Sequence, residues 1–244
     1  MKLLYAIVAL GGLMTLSTAS AASLNLASQD LTPIRTCILS AYPSTASVEA
    51  DATVEQGNPN SNYGANNYLY VESRSNANQR TYISFSSNSC TPAIPSNAII
   101  RAATLRLYVY SLPGTGVCRT EDAFRVGVGG TTDWPNSLTW TTTAITWDNQ
   151  PAGTAISNPP SSLATATMQV GPGCSSNTTA GYVSGWNVAA DVQSFVAGSA
   201  TNYGWMIRDG TEGSTTAERA EYRSENYSSA TMEPQLVISY VDVA

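Results

Sequence analysis

Short runs in which apolar and polar side chains alternate with period two, each fenced by Gly, Pro or Asn, leave this chain few folds to choose from. Tyr68 to Glu72, Thr81 to Phe85, Thr104 to Tyr110, Arg125 to Val128, Gly204 to Arg208 and Gln235 to Tyr240 all carry the pattern. Successive side chains of a strand point to opposite sides, so such a run buries one face and leaves the other to solvent or a ligand. Punctuation such as Gly57-Asn58-Pro59-Asn60 and Ser111-Leu112-Pro113-Gly114 supplies the turns. Helical spacing occurs in Val188 to Val196, where Val188, Val192, Phe195 and Val196 share one side, Asn187 can cap the start and Gly198 follows the end. The expected fold is all-β, a single jelly-roll-type β-sandwich of about 200 residues with one short helix.

The ends and the cysteines fix the compartment. Lys2 precedes an apolar run from Leu3 to Leu16 that gives way to Ala19-Ser20-Ala21, the layout of a secretory signal peptide over residues 1–21. Residues 22–47 read as an N-terminal extension, whether linker, tail or loose strand, and residues 48–244 as the sandwich. No later stretch approaches the ~20 apolar residues of a membrane-spanning helix. A secreted protein, extracellular or at the cell surface and without membrane insertion, is expected. Oxidising surroundings let Cys37, Cys90, Cys118 and Cys174 form two disulfides in any of three connectivities. Each cysteine lies among turn-formers, and the sequential pairing, Cys37 with Cys90 and Cys118 with Cys174, is the one we expect. Their wide spacing contains no C-x-x-C, which argues against structural zinc.

Chemistry is narrowed by what the chain lacks. It has no histidine, and its one lysine, Lys2, belongs to the expected signal peptide. Hydrolysis by Ser-His-Asp or Cys-His, histidine-bound zinc or copper, and lysine Schiff bases all drop out. A carboxylate pair of the glycosidase kind remains. Glu218, Glu221 and Glu225 lie close in sequence, yet Glu221 and Tyr222 would point to opposite faces of a strand, so the expectation is that this is not an enzyme. A formal net charge of −6, more acidic still without Lys2, repels phosphate backbones and argues against nucleic acid and anionic membranes as partners.

Strand parity separates a core face from a candidate binding face. Leu105, Leu107 and Val109 oppose Arg106, Tyr108 and Tyr110; Leu69 and Val71 oppose Tyr68 and Tyr70; Ile83 and Phe85 oppose Tyr82, with Arg80 close by. Tyrosine rings stack on the C–H faces of sugars, and arginine forks hydrogen-bond hydroxyls or carboxylates. The same pairs also stabilise a sheet with no ligand at all. The ligand-binding candidates are Tyr68, Tyr70, Arg80, Tyr82, Arg106, Tyr108, Tyr110 and Trp134, the last beside Pro135 in an expected loop, whereas Trp140, Trp147, Trp186 and Trp205 are assigned to the core. Asp51, Asn58, Asn60 and Asn62 carry side-chain oxygens that could hold calcium or, as turn residues, serve the backbone. No other cofactor is expected. Asn177-Thr178-Thr179 and Asn226-Tyr227-Ser228 are glycosylation sequons.

Several ordered blocks carry a family resemblance. Ala50-Asp51-Ala52-Thr53-Val54 followed by Asn58-Pro59-Asn60-Ser61-Asn62-Tyr63-Gly64 resembles the opening of the DNRLRE domains, which are grouped with carbohydrate-binding module family 96 and related to disaggregatase-like repeats. Ala103-Thr104-Leu105-Arg106-Leu107-Tyr108-Val109, Ile145-Thr146-Trp147-Asp148-Asn149-Gln150-Pro151, and Asp191-Val192 leading to Gly198 and Asn202-Tyr203-Gly204 are similar to its successive blocks. Tyr222-Arg223-Ser224-Glu225 and Pro234-Gln235-Leu236-Val237-Ile238-Ser239-Tyr240 are similar to its close. The resemblance covers about Val48 to Val241. It implies a secreted, non-catalytic jelly-roll sandwich of the kind often attached to polysaccharide-active enzymes or surface proteins, with a polysaccharide or surface glycan as partner. Members that bind uronate polymers use a basic groove of lysine and arginine, for which arginine alone is available here. The four cysteines and the Pro- and Gly-rich loops around Cys90, Cys118 and Cys174 depart from the family pattern. The alternative is a structural subunit of an extracellular filament or sheath that partners itself, adding a strand from the N-terminal extension with Leu24 and Leu26 as alternate anchors.

Overall fold

Alternation that buries every second side chain is realised as two antiparallel sheets in the computed structural model, which describes residues 33–40, 49–86, 89–156, 158–175, 181–182, 185–229 and 231–243. In chain order the strands are β1 (Arg35–Leu39), β2 (Glu49–Glu55), β3 (Tyr68–Ser73), β4 (Gln79–Phe85), β5 (Ile99–Arg106), β6 (Tyr108–Ser111), β7 (Arg119–Arg125), β8 (Ala166–Val170), β9 (Gly181–Tyr182), β10 (Trp186–Asn187), β11 (Trp205–Asp209), β12 (Glu218–Arg223) and β13 (Gln235–Val241). The smaller sheet runs β1-β13-β5-β10, and the larger β8-β7-β11-β4-β3-β12-β6-β9 with β2 joined to β4. Between them lies an apolar core that includes Leu69, Val71, Ile83, Phe85, Leu105, Ile207, Leu236 and Ile238. The fold is the expected all-β sandwich.

Helix α1 (Ala189–Val196) sends Val192 and Phe195 into that core. It begins one residue after the predicted start, and Asn187 Oδ1 accepts the Ala189 N–H at 3.1 Å, satisfying one of the N–H groups that a first turn leaves unpaired. Gly198, at φ +69°, follows the end, a conformation that costs glycine least.

A second core sits on the opposite face of the larger sheet. Strand alternation turns Ala52, Val54, Tyr82, Phe124 and Met206 outward, where they meet Trp134, Ile145, Trp147 and Ala152 from residues 126–165. A connection that long, with almost no regular structure, is ordered only if burial offsets its entropy. Each large side chain fully buried contributes roughly 1.5–3 kcal/mol, and this segment supplies several.

Three sequence expectations are corrected. The run from Thr104 to Tyr110 is not one strand: it breaks at buried Leu107, so β5 belongs to the smaller sheet and β6 to the larger. The strand expected at Arg125 to Val128 instead ends at Arg125, and the chain turns through Gly127 at φ +94°. The real strand, β7, hides behind charge, because Glu121 and Asp122 are buried and Arg119 is held by Asp209 through bonds of 2.7 and 2.6 Å. Finally, the expected extension 22–47 contains β1, which pairs with β13 of its own chain and is stapled by the Cys37–Cys90 disulfide. It therefore belongs in part to the sandwich, as an edge strand with Ile38 exposed and Ile34 exposed just before it. The second disulfide joins Cys118 to Cys174. The signal-peptide residues, Leu24, Leu26 and Asn177 lie outside the described residues. Among the described residues no helix is long and apolar enough to cross a membrane.

Candidate functional site

The half of the larger sheet that the 126–165 segment does not cover gathers tyrosine and arginine. Antiparallel register sets Tyr68 opposite Arg223, Tyr70 opposite Glu221 and Glu72 opposite Arg219. Because Leu69, Val71, Ala220 and Tyr222 turn into the core, these partners all face outward. Strand β6 adds Tyr110, and the turn after β12 adds Tyr227. That turn is pinned in three places: Glu225 N–H donates to Asp51 Oδ2 at 2.8 Å, Ser224 Oγ to Asn66 O at 2.5 Å, and Asn226 Nδ2 to Gly64 O at 2.8 Å.

Arg223 is the centre of the group. Its guanidinium carbon lies 3.7 Å from the Tyr227 ring centroid, 4.0 Å from Tyr110 and 4.8 Å from Tyr68. The residue is 9% exposed, and its buried Nε and Nη1 have no hydrogen-bond partner among the described residues. Aromatic faces attract the cation in place of water. The rings of Tyr68 and Tyr110 are 4.8 Å apart, Tyr68 and Tyr70 6.4 Å apart, and Arg219 covers Tyr70 at 4.9 Å. Arg219 is also paired with Glu221. Burial raises the Tyr70 phenol pKa, and the charge of Glu221 adds to it. Burial likewise raises the Glu72 carboxyl, against the pull of Arg219 and Arg74. At the border, burial and then the charge of Glu233 push Glu225 up to about 7. Tyr110 remains 48% exposed, so the platform offers an open ring and phenol hydroxyls: surfaces for stacking and for polar contact together.

The predicted candidates divide. Tyr68, Tyr70 and Tyr110 come together here. Tyr108 shares their strand face but packs edge-on against Tyr182 at 5.4 Å, at the sheet margin. Arg106 lies on the other sheet, opposite Gln235, a consequence of the break at Leu107.

Arg80 and Tyr82, expected on an open face, are instead enclosed beneath the 126–165 segment, and Trp134, expected in a loop, is buried in the core that this segment forms with the sheet. Arg80 grips Glu212 through two bonds of 2.7 Å, donates to Ala155 O at 2.9 Å and lies over Trp147 at 4.6 Å. Tyr82 donates its hydroxyl to Gln150 Oε1 at 3.1 Å, and burial raises its phenol pKa strongly. Trp134 is 2% exposed, with its indole N–H bonded to Val128 O. They hold the covering segment down and cannot meet a ligand. Arg223 and Tyr227 were missed. The signal was present in Arg219-Ala220-Glu221-Tyr222-Arg223, whose alternation places both arginines opposite inward Tyr222, but the charges masked it as a strand.

Three of the residues considered for calcium make separate hydrogen bonds. Asp51 holds the Glu225 backbone, Asn58 Nδ2 donates to Glu55, and Asn62 bridges Gly64 N–H and the carbonyls of Thr142 and Ile145. Asn60 is exposed. Among the described residues no three His, Cys, Asp or Glu side chains come together to hold a metal. Asn226, the sequon asparagine within the described residues, is exposed beside the platform.

The sequence model described as carbohydrate-binding module family 96 matches residues 42–240, from just before β2 into β13. Strand β1 and Cys37 precede the matched segment. No curated protein matches the chain.

Proposed function

The chain belongs to carbohydrate-binding module family 96, and from that premise we propose that it is an exported, non-catalytic binder of polysaccharide or cell-surface glycan whose ligand docks on the Tyr68, Tyr110, Tyr227 and Arg223 platform. The observation that carries the reading is the open Tyr110 ring, 48% exposed, gathered with Tyr68 and Tyr227 around the Arg223 guanidinium. A sugar ring presents C–H faces to Tyr110 and Tyr227 and hydroxyls to the phenols, while the enclosed Arg223 holds the three rings in place. Outward Arg219 and Arg223 are offset by Glu72 and Glu221, so stacking rather than net charge dominates. Two disulfides support an oxidising, extracellular location, where such bonds persist.

Affinity electrophoresis through gels containing soluble polysaccharides, followed by calorimetry on any that retard the protein, tests this. Tyr110→Ala and Tyr227→Ala should each weaken binding roughly 5-fold, as loss of one aromatic stacking contact implies, and Arg223→Gln by more. No retardation by any neutral or acidic polysaccharide would sink the proposal. So would retardation that survives all three substitutions.

A second reading has one observation behind it. Strand β1 is an edge among the described strands, with Ile38 exposed on it and Ile34 exposed just before it, and such an edge can pair with another copy to build a filament. Sizing and electron microscopy of secreted protein decide it, since a strict monomer removes the idea.

A further inference from the structure

A second aromatic feature stands on the covered half of the sheet, away from the tyrosine platform. The half-buried indole of Trp140 separates two recesses that share Thr139 and Trp140 in their walls. One, of about 250 Å³, is lined also by Ser137, Thr141 and Asn149, and the other, of about 130 Å³, by Ser84, Asn202 and Tyr203. No Asp, Glu, Lys or Arg lines either. The larger falls short of the ~300–1,000 Å³ of sites for drug-sized ligands, a size suited to a single sugar ring.

The walls are fixed before any ligand arrives. Trp140 Nε1 donates to Tyr203 O at 2.9 Å, and its ring meets Tyr82 edge-on at 5.7 Å. Asn62 Nδ2 reaches the carbonyls of Thr142 and Ile145, both at 2.8 Å, and Asp148 N–H donates to Pro59 O at 3.1 Å. Asn149 closes the loop on itself, accepting from Thr146 N–H and donating to Ala144 O. Gly64 lies so near that a Cβ there would come within 2.0 Å of Thr142 O. With the indole and the asparagines committed to the scaffold, Thr139 and Thr141, both exposed residues in the recess wall on either side of Trp140 in sequence, are left to supply hydroxyls to a ligand. Preorganised walls reduce the cost of binding.

We propose that the Trp140 recess is a separate sugar subsite that takes a neutral pyranose unit, with the indole as stacking shelf and the Thr139 and Thr141 hydroxyls as hydrogen-bonding partners. The absence of lining charge selects against uronate or sulfated units, whose anion would find no counter-charge when desolvated. The subsite goes beyond the platform reading and does not require it.

Nitrogen-15 NMR titration of the full chain with methyl β-glucoside, methyl β-galactoside, methyl α-mannoside and methyl β-glucuronide is the test. Saturable shifts of the Trp140 indole N–H and the Thr139 and Thr141 amides are expected with at least one neutral glycoside. They should persist in Tyr110→Ala and weaken roughly 3- to 10-fold in Thr141→Ala, as loss of one hydrogen bond implies. Trp140→Ala should abolish them; because it also removes a scaffold bond, Thr141→Ala carries the decision if that variant misfolds. Shifts confined to Tyr68, Tyr110 and Tyr227 would overturn the Trp140 subsite while leaving the platform proposal standing. Glucuronide binding at Trp140 as tight as any neutral glycoside would overturn the ligand class. No shift at Trp140 with any of the four probes would overturn the subsite itself.

Discussion

Replacing Glu121 by glutamine isolates a charge that the fold keeps out of water. Glu121, on β7, is 1% exposed and accepts the Tyr222 hydroxyl on Oε2 at 2.7 Å. Burial pushes its carboxyl up to about 8, Tyr222 pulls the other way, and Asp209 and Asp122 add to the rise. The native state therefore keeps a proton that the unfolded chain releases near 4.5. Stability contributed by this group is fully present below pH 4.5 and is lost as pH rises toward 8. Each pH unit across that window costs at most about 1.4 kcal/mol, which amounts to roughly 3 kcal/mol by pH 7 and about 5 kcal/mol by pH 9. Urea denaturation followed by tryptophan fluorescence at intervals from pH 4.5 to 9 reads the slope. Glu225, raised to about 7, adds a smaller fall in the same direction. The informative quantity is thus the difference between the wild-type profile and that of Glu121→Gln, which keeps an acceptor for Tyr222 but has no proton to lose. The difference should grow in favour of the variant as pH rises. Parallel profiles would refute the reasoning.

Other perturbations address the scaffold. Arg80→Met takes from the buried Glu212 carboxylate the guanidinium that holds it through bonds of 2.7 Å; a loss of about 3 kcal/mol in denaturant midpoint measurements is expected, with glycan affinity at Tyr110 unchanged while the protein stays folded. Cys37→Ser with Cys90→Ser opens a loop of sequence separation 53 and should cost about 4 kcal/mol by loop entropy, measured by the same denaturation. Gly64→Ala drives a Cβ into Thr142 O and should cost about 1–3 kcal/mol while speeding hydrogen exchange at residues 142–146, without affecting β13.

Alternation alone determined the two sheet faces of β3, β4 and β13, since a strand of period two has only two sides and Leu69, Ile83 and Ile238 had to share the inner one. The hydrogen bond that Asn187 accepts from the Ala189 N–H and the absence of histidine were equally legible, being local or compositional. Charged strands were not. In β7 and β12 the hydrophobic pattern is interrupted by Glu121, Asp122, Arg219 and Glu221, and because Glu121 meets Tyr222, Asp122 meets Thr167 and Arg219 covers Tyr70, all distant in sequence, the strand character shows only once those partners are placed. The same limit governs the site. Tyr68 and Tyr82 carry one pattern in the sequence, a tyrosine alternating with aliphatic neighbours, yet one is open and the other enclosed. What separates them is where residues 126–165 bury Trp134, Ile145 and Trp147, and which strand brings Arg223 opposite Tyr68. Both are long-range packing outcomes, set by shape and register across the sheet, which no local reading of residues contains.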